Sequence, residues 1–352
     1  MTKMHRQSLV AYGQPLCETV IDCPTPRGSE VLVRVERCGV CHSDLHLQDG
    51  YFSLGGEKRL DVTAGRALPF TLGHEIAGVV EAAGPEAGDA IRGRRVAVFP
   101  WIGCGTCPAC LAGEENLCAA PRHLGIGVDG GFATHVLVPH PRYLLDYAPL
   151  SAAFAGALMC SGLTAYSALK RLTARPERGP VLLVGVGGVG MMGLAIARAL
   201  FREPPIVADI DPEKRKAAIA GGAAQAYDPA DPQTRKALMA ASGGGVLAAC
   251  DFVGSDKSMQ FATGVLGRGG KLVVTGLLGG TFSIAAAMFA IRPIAIEGSF
   301  TGTLAETREL LDLARSGKIK PIPIHDRPLA QAQAALEDLR AGRVVGRTIL
   351  AA

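Results

Sequence analysis

The chain has 352 residues, a formal net charge of +4, 48% hydrophobic residues and 19% charged ones. That length fits two domains of ordinary size, and that composition excludes an extended disordered chain. A charge so small, with no basic run, also argues against a nucleic-acid partner.

Residues 1 to about 160 read as β-rich. Short runs at Val31–Val35, Ile76–Glu81, Arg95–Val98 and Thr134–Val138 are separated by Gly and Pro, the punctuation of short strands and turns. From about 161 to 300 the rhythm changes. Val181–Val184 is an apolar run followed by glycines and a helical stretch to Leu200. Ile206–Ala208 is a second strand, and Asp211-Pro212-Glu213 is a helix start with Asp as N-cap. Further strands are predicted at Ala248–Val253, Lys271–Thr275 and Ile294–Glu297. Strands alternating with helices give an α/β unit built on a doubly wound parallel sheet. From about 301 the chain returns to helix and strand, with Leu329, Ala332, Leu336 and Leu339 on one helical face.

Gly179 to Ala197 carries no charge and approaches membrane-span length, but its glycines and its first half read better as a buried strand. Met1 to Val10 has neither a long apolar core nor a cleavage site. A cytoplasmic protein with no membrane partner is expected, its ten cysteines being thiols or metal ligands.

Cys104, Cys107, Cys110 and Cys118 form C-x2-C-x2-C-x7-C. Four thiolates so close in sequence can close around one tetrahedral ion, with Gly103, Gly105 and Pro108 supplying turns. A closed thiolate shell makes such a zinc structural; an iron–sulfur cluster and four free thiols are the alternatives. Cys41-His42-Ser43-Asp44-Leu45-His46, Gly73-His74-Glu75 and Cys160 are dispersed. Each has an ordinary reading as a buried thiol or a satisfied histidine. If Cys41, His74 and Cys160 converged, they would leave a zinc one open position for water or an alcohol. Asp44 could then orient an imidazole, Ser43 could relay a proton, and His46 titrates near neutrality.

Gly185-Val186-Gly187-Gly188-Val189-Gly190 between strand and helix is G-x-G-x-x-G in the context that makes it credible. Gly185 allows the turn, Gly187 lets a pyrophosphate approach, and Gly190 lets helix pack on strand. Asp209, at the end of the next strand, would accept from ribose hydroxyls and repel a 2′-phosphate, which favours NAD over NADP.

With these motifs in this order, the sequence resembles the zinc-dependent alcohol dehydrogenases of the medium-chain dehydrogenase/reductase superfamily, over roughly residues 7 to 350. The resemblance rests on Cys38-Gly-Val-Cys41-His42-Ser43-Asp44-Leu-His46, Gly73-His74-Glu75, the cysteine loop, Cys160-Ser-Gly-Leu-Thr164, the glycine fingerprint and Gly346-Arg347-Thr348. It implies a β-rich GroES-like catalytic domain (residues 1–160, zinc sites, and 301–352) around a Rossmann NAD-binding domain (161–300). It implies that Cys41, His74 and Cys160 bind the catalytic zinc, with Glu75 behind it and Asp44 holding His74. Ser43 would take the alcohol proton and pass it through the nicotinamide ribose toward His46. His42 and Arg347 would reach the pyrophosphate, and Val189 would pack behind the nicotinamide.

The expected function is reversible oxidation of an aliphatic or aromatic, primary or secondary alcohol to an aldehyde or ketone, with NAD and two zinc ions, in a homodimer or homotetramer. Alternatives are a polyol or aldehyde-adduct dehydrogenase, an enone reductase, or a zinc- and nucleotide-binding protein without turnover. Tyr51–Phe70 is longer than in compact members. Trp101 is either a pocket residue or an ordinary core or exposed one. His123, His135, His140 and His325 read as structural or surface residues, and Cys17, Cys23, Cys38 and Cys250 have no assigned role.

Overall fold

A computed structural model describes residues 2–173 and 179–352. Its central unit is a six-stranded parallel sheet. The spatial order is Gln225–Tyr227, Ile206–Ala208, Leu182–Val184, Val246–Asp251, Leu266–Val274, Ala295–Gly298. The order reverses on either side of Leu182–Val184, which makes the end of that strand a topological switch point. The helix Gly188–Leu200 starts there. The charge-free stretch Gly179–Ala197 is therefore strand, glycine turn and helix, not a span.

The strand Leu266–Val274 begins earlier than its apolar run suggests. Gly267, Gly269 and Gly270, ahead of the predicted start at Lys271, lie within the strand, beside a register shift between Val246 and Ala248. Asp211 does cap its helix, accepting from the N–H groups of Glu213 and Lys214.

The second unit is an antiparallel assembly whose middle strand, Val31–Gly39, pairs with Glu75–Ala83, His135–Val138 and Arg347–Ala351. The last of these comes from the other end of the chain. It pairs Ile349 with Gly39 while Glu75 pairs with Gly39 from the other side, so Arg347 arrives beside Glu75.

The helical run Ala152–Lys170 links the two units and is interrupted by a π-helical turn at Leu158–Gly162. Such turns concentrate at functional sites, and this one carries Cys160. The run is long and apolar enough to cross a membrane, but 89% of its apolar window is buried inside the protein. Gly156 lets it press onto the sheet: a Cβ there would sit 2.8 Å from the Glu75 carbonyl oxygen.

The extension after Gly50 is a hairpin, Tyr51–Gly55 with Lys58–Asp61. It reaches the parallel-sheet unit, where a Cβ on Gly279 would lie 2.4 Å from the Ser53 carbonyl oxygen.

Candidate active site and comparison with known proteins

Cys41 is the N-cap of the helix His42–Asp49, with its backbone extended. Its N–H donates to Asp44 Oδ2 at 2.9 Å, and the Gly73 N–H donates to Asp44 Oδ1 at 3.2 Å. One buried carboxylate thus ties the Cys41 turn to the His74 turn. Gly73 has φ 94°, and a Cβ there would lie 2.4 Å from the Phe132 ring, so only glycine permits this turn. His74 Nδ1 is 3.4 Å from Asp44 Oδ1.

The ligand atoms of Cys41, His74 and Cys160 lie within 4.8 Å of one another, and all three side chains are buried. Both ring nitrogens of His74 lack an aligned hydrogen-bond partner, a state that buried polar groups rarely tolerate. An ion held between these donors would supply what the imidazole lacks, and two thiolates with one imidazole suit zinc with an open position. The hydrogen bond from Cys160 is the largest influence lowering the Cys41 thiol well below its ordinary pKa, while Cys160 is raised. A metal bound here would hold both sulfurs as thiolates.

Glu75 lies behind the donor set. Its Oε1 accepts the Ser161 N–H at 3.1 Å and its Oε2 forms an ion pair with Arg347 Nη2 at 2.5 Å. Burial pushes the Glu75 carboxyl up and the Arg347 charge opposes that. Arg347 also touches the parallel-sheet unit: a Cβ on Gly188 would meet its Cδ at 2.8 Å. Ser43 Oγ is 3.8 Å from Cys41 Sγ. His46, three residues on, shares its helix face and lies against Phe52, ring centroids 4.6 Å apart. Burial, then the neighbouring His42, lowers the His46 pKa. His42 itself is exposed on the first helical turn.

The quartet converges as its spacing suggests, with all four sulfurs within 4.8 Å of one another. Cys104–Cys110 and Cys107–Cys118 are 4.0 and 3.8 Å apart. Four sulfurs about 2.3 Å from a tetrahedral zinc stand about 3.8 Å apart. Backbone N–H groups of Cys104 and Ala120 point at Cys118 Sγ, and that of Cys107 at Cys104 Sγ. Hydrogen bonds from Thr106, backbone first, bring the Cys104 thiol down to about 6.

The glycine turn is tight. A Cβ on Gly190 would sit 1.9 Å from the Gly185 carbonyl oxygen, whereas one on Gly187 would meet nothing within 4 Å. Gly187 therefore leaves an open flank, which would admit a pyrophosphate at the start of the helix that carries Gly188, Val189 and Gly190. Asp209 Oδ2 accepts the Val186 N–H at 2.8 Å and Oδ1 the Asp211 N–H at 2.9 Å, leaving lone pairs for ribose hydroxyls.

Sequence reasoning left Trp101 between two readings. It is buried, and its indole N–H donates to the Met159 carbonyl at 2.9 Å, next to Cys160. Its ring stands edge-on to His74 at 5.6 Å and to His123 at 5.3 Å. His123 is buried, with the Trp101 ring between it and His74. His135 is buried against Glu81, His140 caps Arg142, and His325 is exposed beside the Val345 carbonyl. Of the cysteines without an assigned role, Cys38 and Cys250 are buried, Cys23 is partly buried and Cys17 is exposed.

Residues 27–148 match the alcohol dehydrogenase GroES-like domain family, and residues 188–316 match the zinc-binding dehydrogenase family. An NAD-dependent alcohol dehydrogenase of Sulfurisphaera tokodaii is 38% identical, covering 99% of both chains. A D-arabinose 1-dehydrogenase (NADP+) of Saccharolobus solfataricus is 30% identical, covering 99% of this chain and 98% of its own. The solved alcohol dehydrogenase of Aeropyrum pernix superposes with a TM-score of 0.88 at 31% identity, covering 99% of this chain and 100% of that one. The chain belongs to the zinc-dependent, NAD-linked alcohol dehydrogenases of the medium-chain dehydrogenase/reductase superfamily, enzymes that interconvert an alcohol and its aldehyde or ketone.

Proposed function

We propose that the alcohol is activated where Cys41, His74 and Cys160 converge, and that Ser43 and His46 carry its proton away. The convergence of those three donors carries the reading. Zinc and NAD, when bound, supply a Lewis acid and a hydride acceptor. The protein's own groups do the rest. Ser43, beside Cys41, accepts the alcohol proton as it leaves. His46, kept neutral by its lowered pKa, takes that proton onward to solvent. Asp44 holds the His74 ring, and Glu75 and Arg347 fix the floor of the site. Gly185, Gly187, Gly188, Val189, Gly190 and Asp209 receive the dinucleotide, with His42 and Arg347 toward its pyrophosphate. Cys104, Cys107, Cys110 and Cys118 hold the second zinc.

The proposed boundaries are 1–160 and 301–352 for the catalytic domain and 161–300 for the coenzyme domain. A homodimer or homotetramer is proposed. The outer strand Ala295–Gly298 ends the parallel sheet with an open edge, and Ile291 and Phe300 nearby are exposed. Such apolar edges are ordinarily covered; sedimentation would give the number of chains. A cytoplasmic location is proposed, since every cysteine is free.

NADH absorbance with primary, secondary and aryl alcohols tests the site. Ser43→Ala should lower kcat by about 100-fold or more, while metal content stays at the wild-type level. Near-normal turnover in that variant would remove Ser43 from the relay.

A further inference from the structure

A proton relay through His46 depends on where its ring points, and no polar group fixes that ring. Among the described residues, the ring has no hydrogen-bond partner and one aromatic neighbour, Phe52. The two ring centroids are 4.6 Å apart, with the planes inclined at 34°. A side chain that must hand on a proton needs its rotamer locked, and where hydrogen bonds do not lock it packing must.

The local sequence returns Phe52 to His46. Gly50 closes the helix His42–Asp49 in the left-handed region, φ 84°, with its N–H on the His46 carbonyl at 3.0 Å. A Cβ there would lie 3.0 Å from Thr63 Cγ2 and 3.2 Å from the Tyr12 ring. The chain turns sharply at this glycine, and Phe52 comes back against the histidine six residues before it. The Val62 N–H donates to the Gly50 carbonyl at 3.0 Å and closes the base of the hairpin, in which Phe52 pairs with Leu60.

A two-stranded hairpin is marginal by itself, and this one leaves Leu54 and Leu60 exposed. Its tip is held by the parallel-sheet unit. A Cβ on Gly55, φ 96°, would lie 2.8 Å from the Gly280 carbonyl carbon, and Gly279 closes on Ser53 in the same way. The Leu278 and Gly279 N–H groups donate to the carbonyls of Val253 and Gly254, each at 3.0 Å. Val253 in turn lies against the glycine turn: a Cβ on Gly185 would meet its Cγ2 at 2.3 Å. Packed backbone thus runs from the glycine turn, through the hairpin, to the ring that rests on His46.

We propose that Phe52 is a positioning residue for the proton relay, held on His46 by a hairpin whose tip is seated on Gly279 and Gly280 of the other unit. The proposal deepens the function proposed above and rests on its assignment of His46 to the relay. Phe52 carries no proton; it acts by restricting the ring that does. The seat ties the geometry of the relay to the way the two units meet.

The test measures the first turnover, as the rate of NADH formation by zinc-replete enzyme with saturating NAD and the most active of 1-butanol, 2-butanol and benzyl alcohol. Phe52→Ala should lower that rate by about 10- to 100-fold, the cost of displacing a reacting group by about 1 Å. Phe52→Tyr, which keeps a ring at the contact, should recover most of it. Phe52→Leu, which fills the volume without a flat ring, should fall between the two. In a His46→Gln background, Phe52→Ala should change the rate by less than about twofold, because a residue that acts through His46 has nothing left to position. Gly55→Ala, which lifts the tip from Gly280, should lower the rate in the wild-type background and not in the His46→Gln one. Equal losses from Phe52→Ala with and without His46 would overturn the proposal, as would a loss confined to the alcohol KM, the mark of a pocket wall. A full rate in Gly55→Ala would overturn the role of the seat. A wild-type rate in His46→Gln would instead remove His46 from the relay, and Phe52 with it.

Discussion

The guanidinium of Arg347 lies 2.5 Å from Glu75 Oε2, and neither side chain exposes more than 3% of its surface. Strands from opposite ends of the chain bring them together on either side of Gly39. A Cβ on Gly39 would sit 2.0 Å from Glu75 Oε2, so the pair occupies the space that a larger residue would fill. Removing one member of such a buried pair leaves the other unpaired, at about 3–5 kcal/mol. Arg347→Leu should therefore lose stability of that order in denaturant unfolding at pH 7. An unchanged midpoint would mean that the pair carries no stability.

Trp101 is the only tryptophan in the chain, and its ring is 5.6 Å from the His74 ring. Its emission should respond when zinc is withdrawn from His74 and should be insensitive to the quartet. Chelation of wild-type enzyme should shift the spectrum, and Cys160→Ala should already resemble the chelated form. A spectrum that follows only loss of the quartet metal would contradict this placement.

Burial holds His123 at about 4, against an ordinary 6.5. Between those values the unfolded chain binds a proton that the native protein refuses. Stability from this group is therefore full above about 6.5 and lost as pH falls toward about 4. The loss is on the order of 3 kcal/mol. Wild type should lose more unfolding free energy than His123→Gln between pH 7 and pH 5. Parallel losses would show that His123 is not buried neutral.

Asp209 accepts two backbone N–H groups and faces the glycine turn. Asp209→Gly should raise kcat/KM for NADP relative to NAD by removing the charge opposite a 2′-phosphate. An unchanged ratio would move the discrimination to another residue.

Much of the fold was legible because its signals are local. The glycine turn and the cysteine quartet each lie within one short stretch, so spacing alone brings their atoms together. Strand ends were less legible. The strand predicted from Lys271 reaches back to Leu266 through three glycines, because sheet pairing with Val246–Asp251 overrides the low strand preference of glycine. The catalytic donors are dispersed, and residue spacing left them open; only the family resemblance joined Cys41 to His74 and Cys160. The sequence offered Trp101 as a pocket candidate, but nothing in it joined Trp101 to His123 and Phe300. Those residues meet through tertiary packing with no common period, and a lone histidine near the quartet has no spacing to recommend it.

Zinc stoichiometry tests the central claim most directly. Wild-type protein should hold two zinc ions per chain, and Cys160→Ala should hold one, with the quartet still loaded. One zinc in the wild type, or two in the Cys160→Ala variant, would contradict the assignment of Cys41, His74 and Cys160 to the metal.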